Sequence, residues 1–168
     1  GEAEAIIRLH EYLAQIALYS GTFGQMTTHQ SAALDAALFT ADSSAIGRVR
    51  ARLAAGLAWE GRLIQAMQET TLVLQVARSY GDKPLLVEGY LTLARVSSAL
   101  ECADDARSAI EKAATLLGQE MPSDLRYDVA LGQLEIGLSL GDDDLAAAGL
   151  ALAQGDMFTP KPRPFAEA

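Results

Sequence analysis

The sequence predicts an all-α fold, an α-α superhelix (solenoid) of four helical hairpins. The first observation is a column of turn residues with a 40-residue period: Gly21, Gly61, Glu101 and Gly141. The second is that Met or Ala follows each of these turns five residues later. The third is that aromatic residues make up only 6 % of the chain, so the aromatic and β-branched runs that strands favour are scarce. Periods of this length are typical of stacked repeats.

Eight helices are expected, two in each repeat, because apolar residues recur at helical spacing. Their predicted bounds are about 2–20, 25–39, 45–60, 63–80, 85–101, 104–117, 123–140 and 144–154. The expected core stripe of the first helix is Ile6, Leu9, Leu13, Ile16 and Ala17, and Ile7, Ala14 and Leu18 extend it to a wide face. That of the fourth helix is Ala66, Val73, Leu74 and Ala77.

The repeats are placed at about 1–41, 42–81, 82–121 and 122–154. Gly81, Asp82 and Pro84 mark one boundary, as a helix C-cap, the next N-cap and a first-turn proline. Three alternating prolines between residues 159 and 165 predict an extended tail or linker over 155–168. The chain lacks an initiator Met and opens directly into a helix, so we expect a piece of a longer protein.

The formal net charge is −9, and it is concentrated in the second half. Residues 1–80 carry 6 Arg and 7 acidic residues, whereas residues 81–168 carry 7 Lys or Arg and 15 acidic residues. Such a chain repels phosphate backbones, which argues against direct nucleic-acid binding. No apolar run reaches the ~20 residues of a spanning helix, so no membrane partner is expected. Cys102 is the single cysteine, which excludes an intrachain disulfide and fits a cytoplasmic location.

A Leu-Ala pair lies seven to eight residues before three of the turns, at Leu13-Ala14, Leu53-Ala54 and Leu93-Ala94. Together with the turn glycine and the small residue after it, this pattern over residues 1–154 resembles the tetratricopeptide repeat. The repeats exceed that family's usual length of about 34 residues. Arg50 and Leu57 replace its Trp and Tyr, and the fourth repeat has Gln133-Leu134 in place of Leu-Ala. The long repeats resemble sensor domains of large bacterial activators of the maltose-regulator type, and repeat domains of peptide-pheromone receptors.

The resemblance implies that the inner helices line a groove that binds a protein or peptide segment. Its groove positions map onto Arg8, Glu11, Gln15, Tyr19, Arg48, Ala55, Trp59, Glu88, Leu91, Arg95, Asp128 and Glu135. The expected function is a non-catalytic scaffold, the regulatory or interaction domain of a larger bacterial transcription or signalling regulator. The alternative is an effector-sensing domain for a small ligand. A deep pocket lined by Trp59, Tyr19 and arginines would favour the sensor, and a long shallow groove would favour the peptide binder.

Candidate catalytic and cofactor residues are few, so neither an enzyme nor a cofactor is predicted. His10 and His29 form no zinc-protease motif and are interpreted as polar residues of helix surfaces. The acidic run 142–144 lacks the alternation of a calcium loop and fits a helix N-terminus. The arginines at 48, 50 and 52 form a solvated face or contact an anion or a peptide carboxylate. Trp59 is either packed in the core or an aromatic anchor for a bound segment.

The last helix is apolar on every face from Leu145 to Ala153. The final helix of a solenoid normally presents a polar outer surface, because nothing stacks beyond it. We therefore expect this helix to lie in a contact. Further repeats of a longer protein, the tail folding back or a second copy of the chain could cover it, and a symmetric homodimer through Leu145 to Ala153 is favoured over cover by the tail alone.

Overall fold

The computed structural model describes residues 1–40, 42–118 and 120–158. Its helices are α1 Glu2–Tyr19, α2 Phe23–Leu38, α3 Ser43–Trp59, α4 Leu63–Tyr80, α5 Lys83–Ala99, α6 Ala103–Leu116, α7 Ser123–Leu140 and α8 Asp143–Phe158. No strand occurs among these residues, so the predicted all-α superhelix of four hairpins is confirmed. The α8 helix runs four residues beyond its predicted end, because Gly155 does not end it and the first proline of the tail is Pro160. The remainder of the predicted tail, 159–168, lies outside the described residues.

The four hairpin turns have one geometry. Gly21, Gly61, Glu101 and Gly141 all adopt left-handed backbone conformations, with φ between 59° and 75°. After each of them, an amide N–H donates to the carbonyl five residues earlier, over 2.8 to 2.9 Å. This bond satisfies a carbonyl that the helix end leaves free. The turn column is therefore confirmed, and Glu101 takes the glycine conformation without being glycine.

The helices form two layers. The first helix of each hairpin (α1, α3, α5, α7) is called an A helix, and the second (α2, α4, α6, α8) a B helix. Each B helix packs on its own A helix and, except for α8, on the A helix that follows. The A helix α3 also packs on α5, and α5 packs on α7, whereas no two B helices approach each other. The A layer therefore lies on the inner side of the superhelix.

One neighbouring pair of A helices departs from this pattern. No Cα atom of α1 comes within 8 Å of a Cα atom of α3, although α3 packs on α5 and α5 on α7. We call the contact regions between successive hairpins the first, second and third joints. The first joint is thus open on its inner side, and this opening positions the candidate site.

The core forms between the layers, and it corrects one prediction. All four residues predicted as the α4 stripe are buried. In α1, however, the buried residues are Ile7, Ala14 and Ala17, whereas Leu9 and Ile16 are 56 % and 63 % exposed. The predicted α1 stripe is therefore wrong in part: Ala17 and two residues of the wider predicted face are buried, but α1 is apolar on two faces and the hairpin covers only one of them.

The acidic run 142–144 begins α8. The Asp142 carboxylate accepts a hydrogen bond from the Leu145 amide at 3.1 Å and pairs with Arg107. Asp42 and Asp82 cap α3 and α5 in the same way. The helix-terminus interpretation is therefore confirmed. Among the described helices, none has the length and apolar character needed to cross a bilayer.

Candidate functional site

The opening at the first joint is a cleft of about 510 Å³ between α1 and α3, with α2 as its floor. We call it the α1/α3 cleft. Its volume lies within the ~300–1,000 Å³ range of ligand pockets. The α1 wall consists of Arg8, Glu11, Tyr12, Ala14, Gln15 and Leu18. The α3 wall consists of Val49, Arg52, Ala55, Gly56 and Trp59, and the floor of Met26, Gln30 and Ala33.

A charged pair spans the mouth of the cleft. The Arg52 guanidinium on α3 donates to the Glu11 carboxylate on α1. Both side chains are long and partly solvated, with 53 % and 28 % of their surfaces exposed. A surface pair of this kind contributes at most about 1 kcal/mol to stability. It therefore bridges two separated helices and can exchange its partner for a charged group on a ligand.

The inner end of the cleft is aromatic. Trp59 lies at the end of α3 and is 49 % exposed. Its ring meets Phe23 of α2 edge-to-face, with ring centroids 6.2 Å apart. This contact fixes the indole while leaving half of its surface free. A held, half-exposed indole is the kind of group that anchors binding partners.

The floor contains an unpaired polar atom. The side-chain oxygen of Gln30 is buried and has no hydrogen-bond partner among the described residues. It packs against Gly56, where any side chain would meet it. Buried polar atoms are nearly always hydrogen-bonded, so an orphaned one calls for an explanation. Rotation of the amide would present a donor or acceptor to a ligand in the cleft.

A row of charges continues from the cleft along the A layer. One position of each repeat carries Arg8, Arg48, Glu88 and Asp128 in turn. The row is therefore basic in the first two hairpins and acidic in the last two. Arg48 donates to Ser44 at 2.6 Å.

The two carboxyl groups in the acidic half of the row have raised pKa values. Burial raises the pKa of the Glu88 carboxyl, although Arg52 and Arg48 oppose the shift. Burial also raises the pKa of Asp128, against the influence of Arg95. Within the described chain, Glu88 makes no hydrogen bond or ion pair. A partly buried, unpaired carboxylate of this kind favours contact with a cationic group.

The twelve predicted groove residues fall into three groups. Arg8, Glu11, Gln15, Ala55 and Trp59 line the α1/α3 cleft. Others lie outside the cleft on the A helices: exposed Tyr19, Arg48, Glu88, Asp128 and the ion-paired Arg95 and Glu135. Leu91 is 5 % exposed and belongs to the core, so it does not line a groove.

Sequence reasoning missed the floor of the cleft. Met26 and Gln30 belong to a B helix, which the groove pattern assigns to the outer layer. They line the cleft only because α1 and α3 stand apart. The sequence did point to Arg52, because it lies one helical turn from Arg48 on the same face of the helix. The ion pair between Arg52 and Glu11 joins two helices of different repeats, so no local sequence pattern predicts it.

The two histidines form a pair that the sequence did not predict. The Nδ1 atoms of His10 and His29 lie 3.2 Å apart across the α1–α2 hairpin. One ring N–H donates to the other ring, and both residues are partly buried. In the described part of the chain, no group of three His, Cys, Asp or Glu residues is placed to hold a metal ion. The pair ties the first hairpin together.

A scan of the chain against protein-family models and a search of curated proteins both find no match.

Proposed function

We propose that the chain is a non-catalytic recognition domain that binds an extended peptide or protein segment along its A layer. The α1/α3 cleft holds an apolar anchor of that segment, with Trp59 as its main contact. The single observation that carries this proposal is that the first joint is open beside a half-exposed indole, whereas the neighbouring joints are closed.

The charged row gives the bound segment a direction. An acidic group of the ligand is matched by Arg8 and Arg48, and a basic group by Glu88 and Asp128. Complementary charges of this kind fix orientation and exclude wrong partners more than they add affinity. The resemblance to long tetratricopeptide repeats supports the same class of function, a regulatory or interaction domain of a larger bacterial regulator.

A random peptide library displayed on phage, selected against the whole chain, supplies the probes for a test. Intrinsic fluorescence then gives the affinity of each selected peptide, since Trp59 is the only tryptophan. Trp59→Ala lacks this fluorophore, so its affinity is measured by calorimetry, and it should bind at least ~10-fold more weakly, as expected for an aromatic anchor. Arg48→Ala, measured by calorimetry, should weaken the binding of peptides that have an acidic end. Phe39→Ala is the matched control, because Phe39 is 87 % exposed and does not line the cleft.

The outcome that contradicts the proposal is equally direct. Wild-type affinity by calorimetry in both Trp59→Ala and Arg48→Ala places the binding surface elsewhere. A cleft-filling variant, Ala55→Phe, provides an independent check, because Ala55 lines the α3 wall. It should block any ligand that enters the cleft while leaving the fold intact by circular dichroism.

A small effector is the second candidate ligand. The volume of the α1/α3 cleft and the orphaned oxygen of Gln30 favour it. Binding would draw α1 and α3 together and shift a conformational equilibrium. Thermal-shift screening against a library of small metabolites tests this candidate. A stabilising compound whose effect is lost in Ala55→Phe and Gln30→Leu would favour the sensor over the peptide binder.

A further inference from the structure

A second cavity lies on the outer side of the first joint, between α2 and α4. No Cα atoms of these two B helices come within 8 Å of each other, and the gap between them is a cavity of about 510 Å³. Leu53 and Leu57 of α3 form its buried floor. We call this cavity the α2/α4 cleft. It lies in the B layer, so the segment proposed to bind along the A layer does not fill it.

Two of the three charged residues that line this cleft are already paired. Arg62, at the N-cap of α4, donates to the Glu60 carboxylate at 3.1 Å. The Thr27 hydroxyl donates to the same carboxylate at 2.6 Å, so this end of the cleft is closed by a connected set of bonds. Glu69 on the α4 wall accepts a hydrogen bond from Arg50 of α3. Neither Arg62 nor Glu69 therefore needs a charged ligand.

The third charged residue, Asp35, is unpaired. Within the described chain, its carboxylate makes no hydrogen bond or ion pair. It lies in the last turn of α2, which contains no basic residue. The negative end of the helix dipole disfavours a carboxylate at such a place. Because neither a partner nor the helix stabilises Asp35, its presence is better explained by a ligand than by folding.

Two neutral polar groups of the lining are also free. Ser31 lies one helical turn before Asp35 on the same face of α2, and Gln68 lies on the α4 wall. All three side chains are exposed, and neither Ser31 nor Gln68 makes a hydrogen bond to any residue that the structure describes. Together they offer three kinds of acceptor: a carboxylate, a hydroxyl and an amide carbonyl oxygen.

The chemistry of these groups selects a class of ligand. One uncompensated negative charge requires a cation, and three acceptors match the three N–H donors of a primary ammonium group. The buried leucines of the floor add an apolar surface on which an alkyl chain can lie. An alkyl chain that ends in a primary ammonium group therefore complements both the walls and the floor.

We propose that the α2/α4 cleft binds a primary alkylammonium group, with Asp35 as its counter-ion. Ser31 and Gln68 accept hydrogen bonds from its remaining N–H donors, and Leu53 and Leu57 pack against its methylene groups. Such a group ends both the side chain of lysine and a free diamine. The net charge of −9 favours the approach of a cation from either source.

Two probes test the proposal and separate the two sources. Cadaverine and Nα-acetyl-lysine amide carry the same alkylammonium group, without and with a peptide backbone. Nuclear magnetic resonance titration of the isotope-labelled chain should give saturable shifts with both, concentrated at residues 31–35 and 65–69. Tighter binding of the blocked lysine identifies a lysine of a partner protein as the ligand. Tighter binding of cadaverine identifies a free small amine.

Variants of the walls identify the groups that bind. Asp35→Asn should weaken the binding of both probes at least ~10-fold, as expected for a hydrogen bond to a charged group. Its melting temperature should be unchanged or raised, because the helix dipole disfavours Asp35. Gln68→Leu should also weaken binding, from the opposite wall. Glu111→Gln is the matched control, since it removes one negative charge at an exposed site on α6, and it should bind as the wild type does.

A trimethylated lysine separates recognition by hydrogen bonds from attraction by charge. Nα-acetyl-trimethyllysine amide keeps the positive charge but has no N–H donor on its ammonium group, so it should bind at least ~10-fold more weakly. Equal binding of the methylated and unmethylated probes would overturn the proposal, because net charge alone would then attract them. Wild-type affinity in Asp35→Asn, or no saturable shift in the cleft with either amine, would overturn it as well.

Discussion

The first and third joints use the same repeat position in opposite ways. At the third joint, Gly132 of α7 packs directly on Leu91 of α5. At the first joint, the two equivalent residues are Arg52 of α3 and Glu11 of α1, and they form an ion pair. The glycine brings its helices into contact, whereas the charged pair accompanies helices that stay apart.

The second joint lies between these extremes. Its equivalent residues are Thr92 and Ala51, which are 6 % and 3 % exposed. Both are short, and α3 and α5 pack on each other there. The series indicates that side-chain length at one position decides whether a joint becomes core or cleft. Burying two charges costs more than a surface pair returns, so Arg52 and Glu11 stay at the solvent side and the helices remain separated.

The largest effect is expected from giving the third joint the residue of the first. Gly132→Arg places a charge in a buried position that has no acidic partner at the equivalent of Glu11. We expect it to lower the free energy of unfolding by about 3–5 kcal/mol. Urea denaturation measures this loss. The reciprocal change, Arg52→Ala, should cost no more than about 1 kcal/mol, and equal losses in the two variants would refute the comparison.

The next effect concerns the crossing inside a hairpin rather than a joint. Ala66 is fully buried where α4 crosses α3. Ala66→Leu overpacks this crossing and should cost about 1–3 kcal/mol, measured by thermal denaturation. The control is Ala99→Leu, because Ala99 is exposed on α5. An unchanged midpoint for Ala66→Leu would show that the crossing has room to spare.

The third turn differs from the other three, and the difference should be measurable. Glu101 holds φ = 59°, a conformation that costs an L-residue roughly 1–2 kcal/mol and glycine little. Glu101→Gly should therefore raise the free energy of unfolding by up to about 1 kcal/mol, since glycine also makes the unfolded chain more flexible. Gly61→Ala makes the opposite change at an equivalent turn, so it should lower the free energy of unfolding. A destabilising Glu101→Gly would mean that the Glu101 side chain contributes more than the backbone costs.

The smallest effect is a pH-dependent change in stability. It arises in the acidic half of the charged row and is not expected in the basic half. Burial raises the pKa of Glu88 above its ordinary value of 4.5, so the folded chain holds this proton more tightly than the unfolded chain does. Ionisation of Glu88 at neutral pH therefore lowers stability. Glu88→Gln should raise the melting temperature at pH 7, and the gain should vanish as pH falls below 4.5. Glu111→Gln, at an exposed site on α6, should show no such gain.

Much of the fold follows from local signals. The eight helices and four turns were predictable because capping residues, turn glycines and helical spacing are written within a few residues of each element. Even Glu101 was placed at a turn by its register alone. Which part of the apolar face of α1 is buried was not predictable, because Leu9 and Ile16 are as apolar as Ile7. Only the packing of the hairpin decides between the two faces.

The candidate site was predictable in part. The repeat register predicted the A helices as the inner layer and included Trp59, which lines the cleft. The cleft could not be predicted in this way, because it exists only where two helices of different repeats stand far enough apart. That separation accompanies the pairing of Glu11 with Arg52, and nothing in either helix alone reveals it.

The central claim, that the first joint is open and the third closed, can be measured as two distances. Spin labels at Arg8 and Arg48 span the first joint, and labels at Glu88 and Asp128 span the third at the same repeat position. Each pair of positions is changed to cysteine in a chain with Cys102 replaced by Ser, and the distance between the labels is measured by pulsed electron–electron double resonance. Our account predicts a longer distance for the first pair than for the second. Equal distances would mean that all joints are alike and that the α1/α3 cleft does not exist in solution.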